Sequence, residues 1–260
     1  MFTLSVYTFV FLIDLLYSLV CCFFSLFLQW DEQTLPSARY KACDIDFKQS
    51  DPKPSNWLIS GQITVTEANR IDVTVQYVIS RCSSLLKNGG PYCVNVFDLF
   101  VNQSDQFIAD KLNYPDPLSN SMAYEKVTEI NQTINKITFE AISILVKGKH
   151  SILAFHNYGA CSTLFSVKVT YNVCPEEPLS SSLMLLPRTV APANDLEPTR
   201  VQGNCINDAV QVSGNLFAHC DSTGEWNTTG LEGRCVCKED MQNNEEICEG
   251  TLLLYLITGK

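Results

Sequence analysis

Ile71-Asp72-Val73-Thr74-Val75-Gln76-Tyr77 alternates apolar and polar side chains without a break, and Phe165-Ser166-Val167-Lys168-Val169-Thr170-Tyr171 does the same later in the chain. A period of two sends successive side chains to opposite faces, so each stretch reads as a β-strand with one buried face. Shorter apolar runs at Val94–Val101, Ile137–Val146 and Ile152–Phe155 lie between them. Turn signals punctuate the runs: Gly89-Gly90-Pro91, Tyr114-Pro115-Asp116-Pro117, Gly148-Lys149 and Asn157-Tyr158-Gly159. No long segment keeps a helical period. The region is expected to be all-β, a sandwich or jelly roll of short antiparallel strands.

On both sides of these strands the composition changes. Residues 175–200 hold five of the eleven prolines, and few strands are expected there because proline cannot donate to a ladder. Six cysteines fall in the 75 residues from Cys174 to Cys248, with few long apolar runs. That is the pattern of small modules whose thin cores need staples. At the other end, 22 of the first 28 residues are apolar and Asp14 is their only charge. Residues 1–28 read as a secretory signal, with a retained signal anchor as the alternative, since the run is long enough to span a bilayer. The apolar stretch Leu252-Leu253-Leu254-Tyr255-Leu256-Ile257 is too short to span one, and residues 250–260 read as the truncated end of a longer chain.

A signal, or an anchor with its C-terminal side out, places Trp30 onward outside the cytosol. Ten cysteines follow the leader: Cys43, Cys82, Cys93, Cys161, Cys174, Cys205, Cys220, Cys235, Cys237 and Cys248. An even set in an oxidising compartment reads as five disulfides. Structural zinc would prefer C-x2-C pairs, and the one close pair is Cys235-x-Cys237. Three N-glycosylation sequons, at Asn102, Asn131 and Asn227, agree with secretion. A net charge of −10, from 18 basic and 28 acidic residues, argues against nucleic acid or an anionic membrane surface as partner.

Catalytic patterns are missing from the sequence. There is no G-x-S-x-G, no H-E-x-x-H and no P-loop. His150 in a polar turn and His156 at a strand end read as solvated histidines. Asp44 and Asp46 form a D-x-D pair without the glycine and distal glutamate of a calcium loop. No cofactor or metal is called for, and the balance favours a binding protein.

Several short motifs, in order, carry a family resemblance. They are Ser55-Asn56-Trp57-Leu58, Ala68-Asn69-Arg70-Ile71, Arg81-Cys82-Ser83-Ser84 followed by Cys93, and Phe97-Asp98-Leu99-Phe100 with Ser104-Asp105. The most specific is Leu153-Ala154-Phe155-His156-Asn157-Tyr158-Gly159-Ala160-Cys161, then Ser166-Val167-Lys168-Val169-Thr170-Tyr171 and Cys174-Pro175. Together, over about residues 38–248, they resemble the extracellular N-terminal half of an Eph receptor. The resemblance implies a jelly-roll ephrin-binding domain at 29–174, a sushi-like cysteine-rich module at 174–236, and the start of an EGF-like module at 237–249. It implies the pairs Cys43 with Cys161, Cys82 with Cys93, Cys174 with Cys220, Cys205 with Cys235, and Cys237 with Cys248. Gly224-Glu225-Trp226 is similar to the Gly-x-Trp before the last sushi cysteine, which makes Trp226 a core residue.

The partner so implied is a membrane-anchored ephrin, whose apolar loop enters a channel floored near the disulfide matching Cys43–Cys161. Asp44 and Ile45 follow that cysteine, Lys48–Pro54 match the next loop, and Leu85 stands at the apolar position of the Cys82–Cys93 loop. Two departures stand out. The family's Arg-Asp before the loop cysteine is here Ser80-Arg81, so the charge moves by one residue and, in a strand, to the opposite face; a local bulge would restore it, and without one the implied salt bridge to an ephrin acid is lost. A longer family loop is here the short turn Lys147-Gly148-Lys149-His150, which implies a shorter channel wall. Receptor clustering through the cysteine-rich modules is a second implication. The family's fibronectin repeats, membrane span and kinase have no counterpart in these 260 residues, so no catalysis is expected. The chain would sit at the plasma membrane within a full-length receptor, or be secreted if it ends at Lys260. The competing readings are a secreted decoy that sequesters ephrins, a jelly-roll lectin or adhesion protein, and a secreted hydrolase.

Overall fold

The computed structural model describes residues 31–33, 39–43, 53–80, 93–131, 136–244 and 247–250. They form two compact units that divide between Thr170 and Tyr171.

The first unit is a sandwich of two sheets. Its strands are β1 (Asp31–Gln33), β2 (Arg39–Cys43), β3 (Asn56–Ile59), β4 (Ile63–Thr64), β5 (Arg70–Ser80), β6 (Phe97–Ser104), β7 (Glu125–Ile130), β8 (Thr138–Leu145), β9 (His150–Asn157) and β10 (Cys161–Thr170). One sheet has the order β1-β2-β10-β5-β8, and the other β3-β9-β6-β7, with β4 continuing the β3 edge along β9. Every pairing between these strands is antiparallel. From β4 onward the chain crosses between sheets at every connection except the long one from β6 to β7, the weave of a jelly roll.

The alternation in β5 decides which way it faces. Ile71, Val73, Val75, Tyr77 and Ile79 are all within 1 % of full burial, while Arg70, Asp72, Thr74, Gln76, Val78 and Ser80 are half-buried on the other side. Each buried aliphatic contributes about 1.5–3 kcal/mol relative to exposure. β9 and β6 supply the facing layer, with Leu153, Phe155, Phe97, Leu99 and Val101 buried. Phe97 meets the edge of the Tyr77 ring at 5.4 Å. The Tyr77 hydroxyl donates to Glu140 at 3.0 Å, and burial with that carboxylate pushes its pKa up.

The second unit is a run of short strands: β11 (Val173–Cys174), β12 (Glu177–Leu179), β13 (Met184–Leu186), β14 (Thr189–Val190), β15 (Thr199–Gln202), β16 (Asn204–Cys205), β17 (Ala209–Ser213), β18 (Phe217–Cys220), β19 (Trp226–Asn227), β20 (Arg234–Cys237), β21 (Met241–Asn244) and β22 (Ile247–Gly250). Cys174–Cys220, Cys205–Cys235 and Cys237–Cys248 staple it. Three of these strands fall within residues 175–200 and a fourth, β15, starts there, where the prolines predict few. They form because each is only two to four residues long, and Pro178 sits on β12, an edge strand whose one partner is β13. Trp226 is half-buried, packs against both apolar clusters of this unit, and donates from Nε1 to the Pro175 carbonyl at 2.7 Å. The turn before it needs Gly224, at φ 88°, because a Cβ there would lie 2.8 Å from the Val173 carbonyl oxygen.

Candidate functional site

Three of the residues expected at the ligand site lie in one row across the first sheet. Cys161, the first residue of β10, pairs with Cys43 of β2 on one side and with Ser80 of β5 on the other. The Cys43–Cys161 disulfide joins the first two across adjacent strands. At the same end of the second sheet, Asn157 pairs with Asn56 and Phe97 with Ile130. Strand polarity then determines which connections meet here. β2, β5, β7 and β9 run toward this end, and β3, β6, β8 and β10 start from it. The connections 44–55, 81–96, 131–137 and 158–160 therefore all leave from one end of the sandwich, the loop end.

Asn157 holds the base of that end. Its Nδ2 donates to the Ala160 carbonyl at 2.9 Å and to Ser162 Oγ at 2.8 Å, and its Oδ1 accepts from the backbone N–H of Gly159 and Ala160, both at 2.9 Å. The residue is 1 % exposed, so these bonds tie the sheets together out of water. The return of the 81–96 connection is anchored nearby: Val94 bridges Ala160, and its N–H donates to the Gly159 carbonyl at 3.2 Å. Cys93 beside it is disulfide-bonded, and its expected partner Cys82 lies outside the described residues. Asp44, Ile45, Arg81 and Leu85 also lie outside them, as do residues 48–52. Ser80 faces away from the core as the last residue of β5.

One expectation needs correcting. The turn Lys147–His150 cannot wall a channel floored by Cys43–Cys161. It follows Leu145, which pairs with Arg70 at the start of β5, whereas Ser80 ends that strand beside Cys161. Ten residues at about 3.3 Å each put the two roughly 33 Å apart along the sheet. The connection that does reach the loop end from this side of the fold is 131–137, which joins Ile130 of β7 to Thr138 of β8, itself paired with Tyr77. It carries exposed Asn131 and Lys136. Alternation does not reveal it, because β7, Glu-Lys-Val-Thr-Glu-Ile, mixes three charges into a six-residue edge strand.

A second correction concerns His156, expected to be solvated. It lies within β9, between Trp57 of β3 and Asp98 of β6 in register, and stacks on the Trp57 ring with centroids 4.2 Å apart and planes within 9°. Ser55 Oγ is 3.0 Å from its Nε2. Burial lowers its pKa, against an opposing pull from Asp98. Next to it Lys126 Nζ sits 2.9 Å from the Asp98 carboxylate, and that contact raises the lysine pKa. Trp57 in turn contacts Phe100 and Tyr124. The Tyr124 hydroxyl donates to the Pro115 carbonyl at 3.0 Å, and burial pushes its pKa up to about 12. His150, expected in a polar turn, is the first residue of β9 and pairs with Thr64 and Ser104.

The sequons differ in setting. Asn102 is half-buried, and its Nδ2 donates to the Ala123 carbonyl at 2.6 Å. Asn131 and Asn227 are exposed. Among the described residues no group of three or more His, Cys, Asp or Glu could hold a metal, and no helix is long and apolar enough to cross a membrane. A cleft of about 200 Å³ lined by Val101, Glu125, Ile144 and Lys147 lies at the opposite end, below the roughly 300–1,000 Å³ usual for a ligand pocket.

A sequence model described as the ephrin receptor ligand binding domain matches residues 25–174, and one described as the ephrin cysteine rich domain matches 178–237. The chain belongs to the ephrin receptor family. Ephrin type-A receptor 3 of Danio rerio is 28 % identical over 229 residues, covering 84 % of this chain and 22 % of that receptor. Ephrin type-B receptor 1-A of Xenopus laevis is 27 % identical over 233 residues, covering 85 % and 22 %. The chain thus spans about a fifth of the length of these ephrin receptors, within their ectodomain. Type-A and type-B receptors match it equally well, so overall identity favours neither class.

Proposed function

We propose that the chain is the ligand-binding part of an extracellular receptor and takes an ephrin at the loop end of its sandwich. The observation that supports this reading is the row Cys43–Cys161–Ser80, with four connections leaving around it, in a chain whose family is named for ephrin binding. A disulfide and a fully bonded Asn157 make a rigid floor, which suits insertion of an apolar loop because little ordering entropy is then lost on binding. Asp44, Ile45, Ser80, Arg81 and Leu85 are the proposed contacts: Leu85 for apolar burial, Arg81 for a charge on the ephrin. The role is recognition rather than catalysis, in cell–cell contact, with clustering through the cysteine-rich unit as part of the same reading. The oxidising exterior it implies fits the disulfides of both units.

The test is a binding titration of the secreted chain against immobilised type-A and type-B ephrins, with Arg81→Ala in parallel. Saturable binding to at least one ephrin is expected, weakened by about 1–3 kcal/mol in the variant. No binding to any ephrin overturns the reading.

A further inference from the structure

We propose that Asn131 carries an N-linked glycan that stands over the loop end and restrains access of a protein ligand to it; the ligand part rests on the ephrin reading above. The three sequons separate on structural grounds. Asn102 Nδ2, the atom a glycan would occupy, donates to the Ala123 carbonyl at 2.6 Å beneath the segment that carries Tyr124, itself 4 % exposed. A sugar there would displace that segment from the Trp57 cluster, so folding selects chains unmodified at Asn102. Asn227 is exposed but belongs to the second unit. Asn131 is exposed, is the first residue past β7, and among the described residues its Nδ2 has only a long 3.5 Å contact to Glu129. Its neighbour Ile130 pairs with Phe97, where β6 begins. The connection that starts at Asn131 ends at Thr138, opposite Tyr77 and three residues from Ser80. A glycan rooted at Asn131 therefore rises from the rim of the same end that holds the Cys43–Cys161 row.

The transfer uses the lipid-linked oligosaccharide diphosphate of the secretory pathway. Asn131 Nδ2 bonds to C1 of the first sugar and loses a proton, the C1–O bond to phosphate breaks, and the lipid diphosphate leaves. A hydrated oligosaccharide at the rim slows a docking protein by excluding approach directions, which acts on association more than on the bound contacts.

The full chain secreted from animal cells is compared with Asn131→Gln, Thr133→Ala and Asn227→Gln. Glycopeptide mass spectrometry is expected to find Asn131 occupied and Asn102 bare. Trypsin is expected to cut after exposed Lys136 faster in the two variants that remove the Asn131 glycan than in Asn227→Gln. The same two variants should raise the ephrin association rate about three- to tenfold, and Asn227→Gln should leave it unchanged. A bare Asn131, or an occupied one whose removal alters neither tryptic cleavage nor ephrin association, overturns the proposal. Faster cleavage after Lys136 with no ephrin bound by any form would uphold the shielding and refute the ephrin reading instead.

Discussion

The two ends of the sandwich are held by different means. At the turn end the connection from β8 to β9 is short and packed: a Cβ on Gly148 would lie 2.9 Å from the Ser104 backbone, and Lys147 bridges Glu125 at 2.6 Å. At the loop end a disulfide, a buried asparagine and paired strand ends fix only the bases of four connections. One end closes the fold with local contacts. The other presents four connections on a rigid base, the usual division between scaffold and recognition surface.

The widest gap between the ends is expected on removing the disulfide. In the chain-entropy model a Cys43→Ser/Cys161→Ser protein, losing a closure of sequence separation 118, should lose about 5 kcal/mol. The pair Cys237→Ser/Cys248→Ser, of separation 11, should lose about 3 kcal/mol. Urea unfolding followed separately in the two units checks this, and ephrin binding should vanish only with the first pair. Next comes Asn157→Ala, which strips partners from two buried backbone donors and Ser162. It should cost the sandwich about 2–4 kcal/mol, read as a lower urea midpoint.

A smaller effect is expected from His156. Its folded-state pKa lies below the unfolded value near 6.5, chiefly through burial. Between those two values the unfolded chain binds more protons, so stability should fall as pH drops below about 6.5 and level off beneath the folded pKa. One proton gives at most about 1.4 kcal/mol per pH unit. Thermal unfolding between pH 7.5 and 5 should show that slope, and His156→Gln should flatten it. Smallest is Lys147→Ala at the turn end. Its ion pair is more than half exposed on both sides, so less than about 1 kcal/mol is expected, with ephrin affinity unchanged.

Much of this architecture was readable where the two faces of a strand differ in solvent. β5 and the burial of its odd-numbered residues followed directly from alternation, and the ordered cysteines pointed to the family. Polarity was harder. Passing over β7 removes one strand from the weave, and each missing strand reverses the end at which the next connection lies. The resemblance implies a channel wall at the turn 147–150, and strand polarity puts that turn at the opposite end from the disulfide. β7 was hidden because it is an edge strand with a register shift opposite Leu99 and Phe100 and charged outward positions. The burial of His156 is hidden for a related reason: its stacking partner Trp57 is distant in sequence and meets it only through strand register. Asp44, Ile45, Arg81 and Leu85 come from the family resemblance alone, because no alternation or turn signal marks them.

The most direct test of the loop-end account is hydrogen–deuterium exchange of the purified chain with and without saturating ephrin. Protection is predicted in peptides covering 39–56, 78–97, 128–140 and 156–164, with none at 62–69, 104–124 or 145–151. Protection concentrated at 145–151 and 104–124, with the four loop-end peptides unchanged, would contradict it.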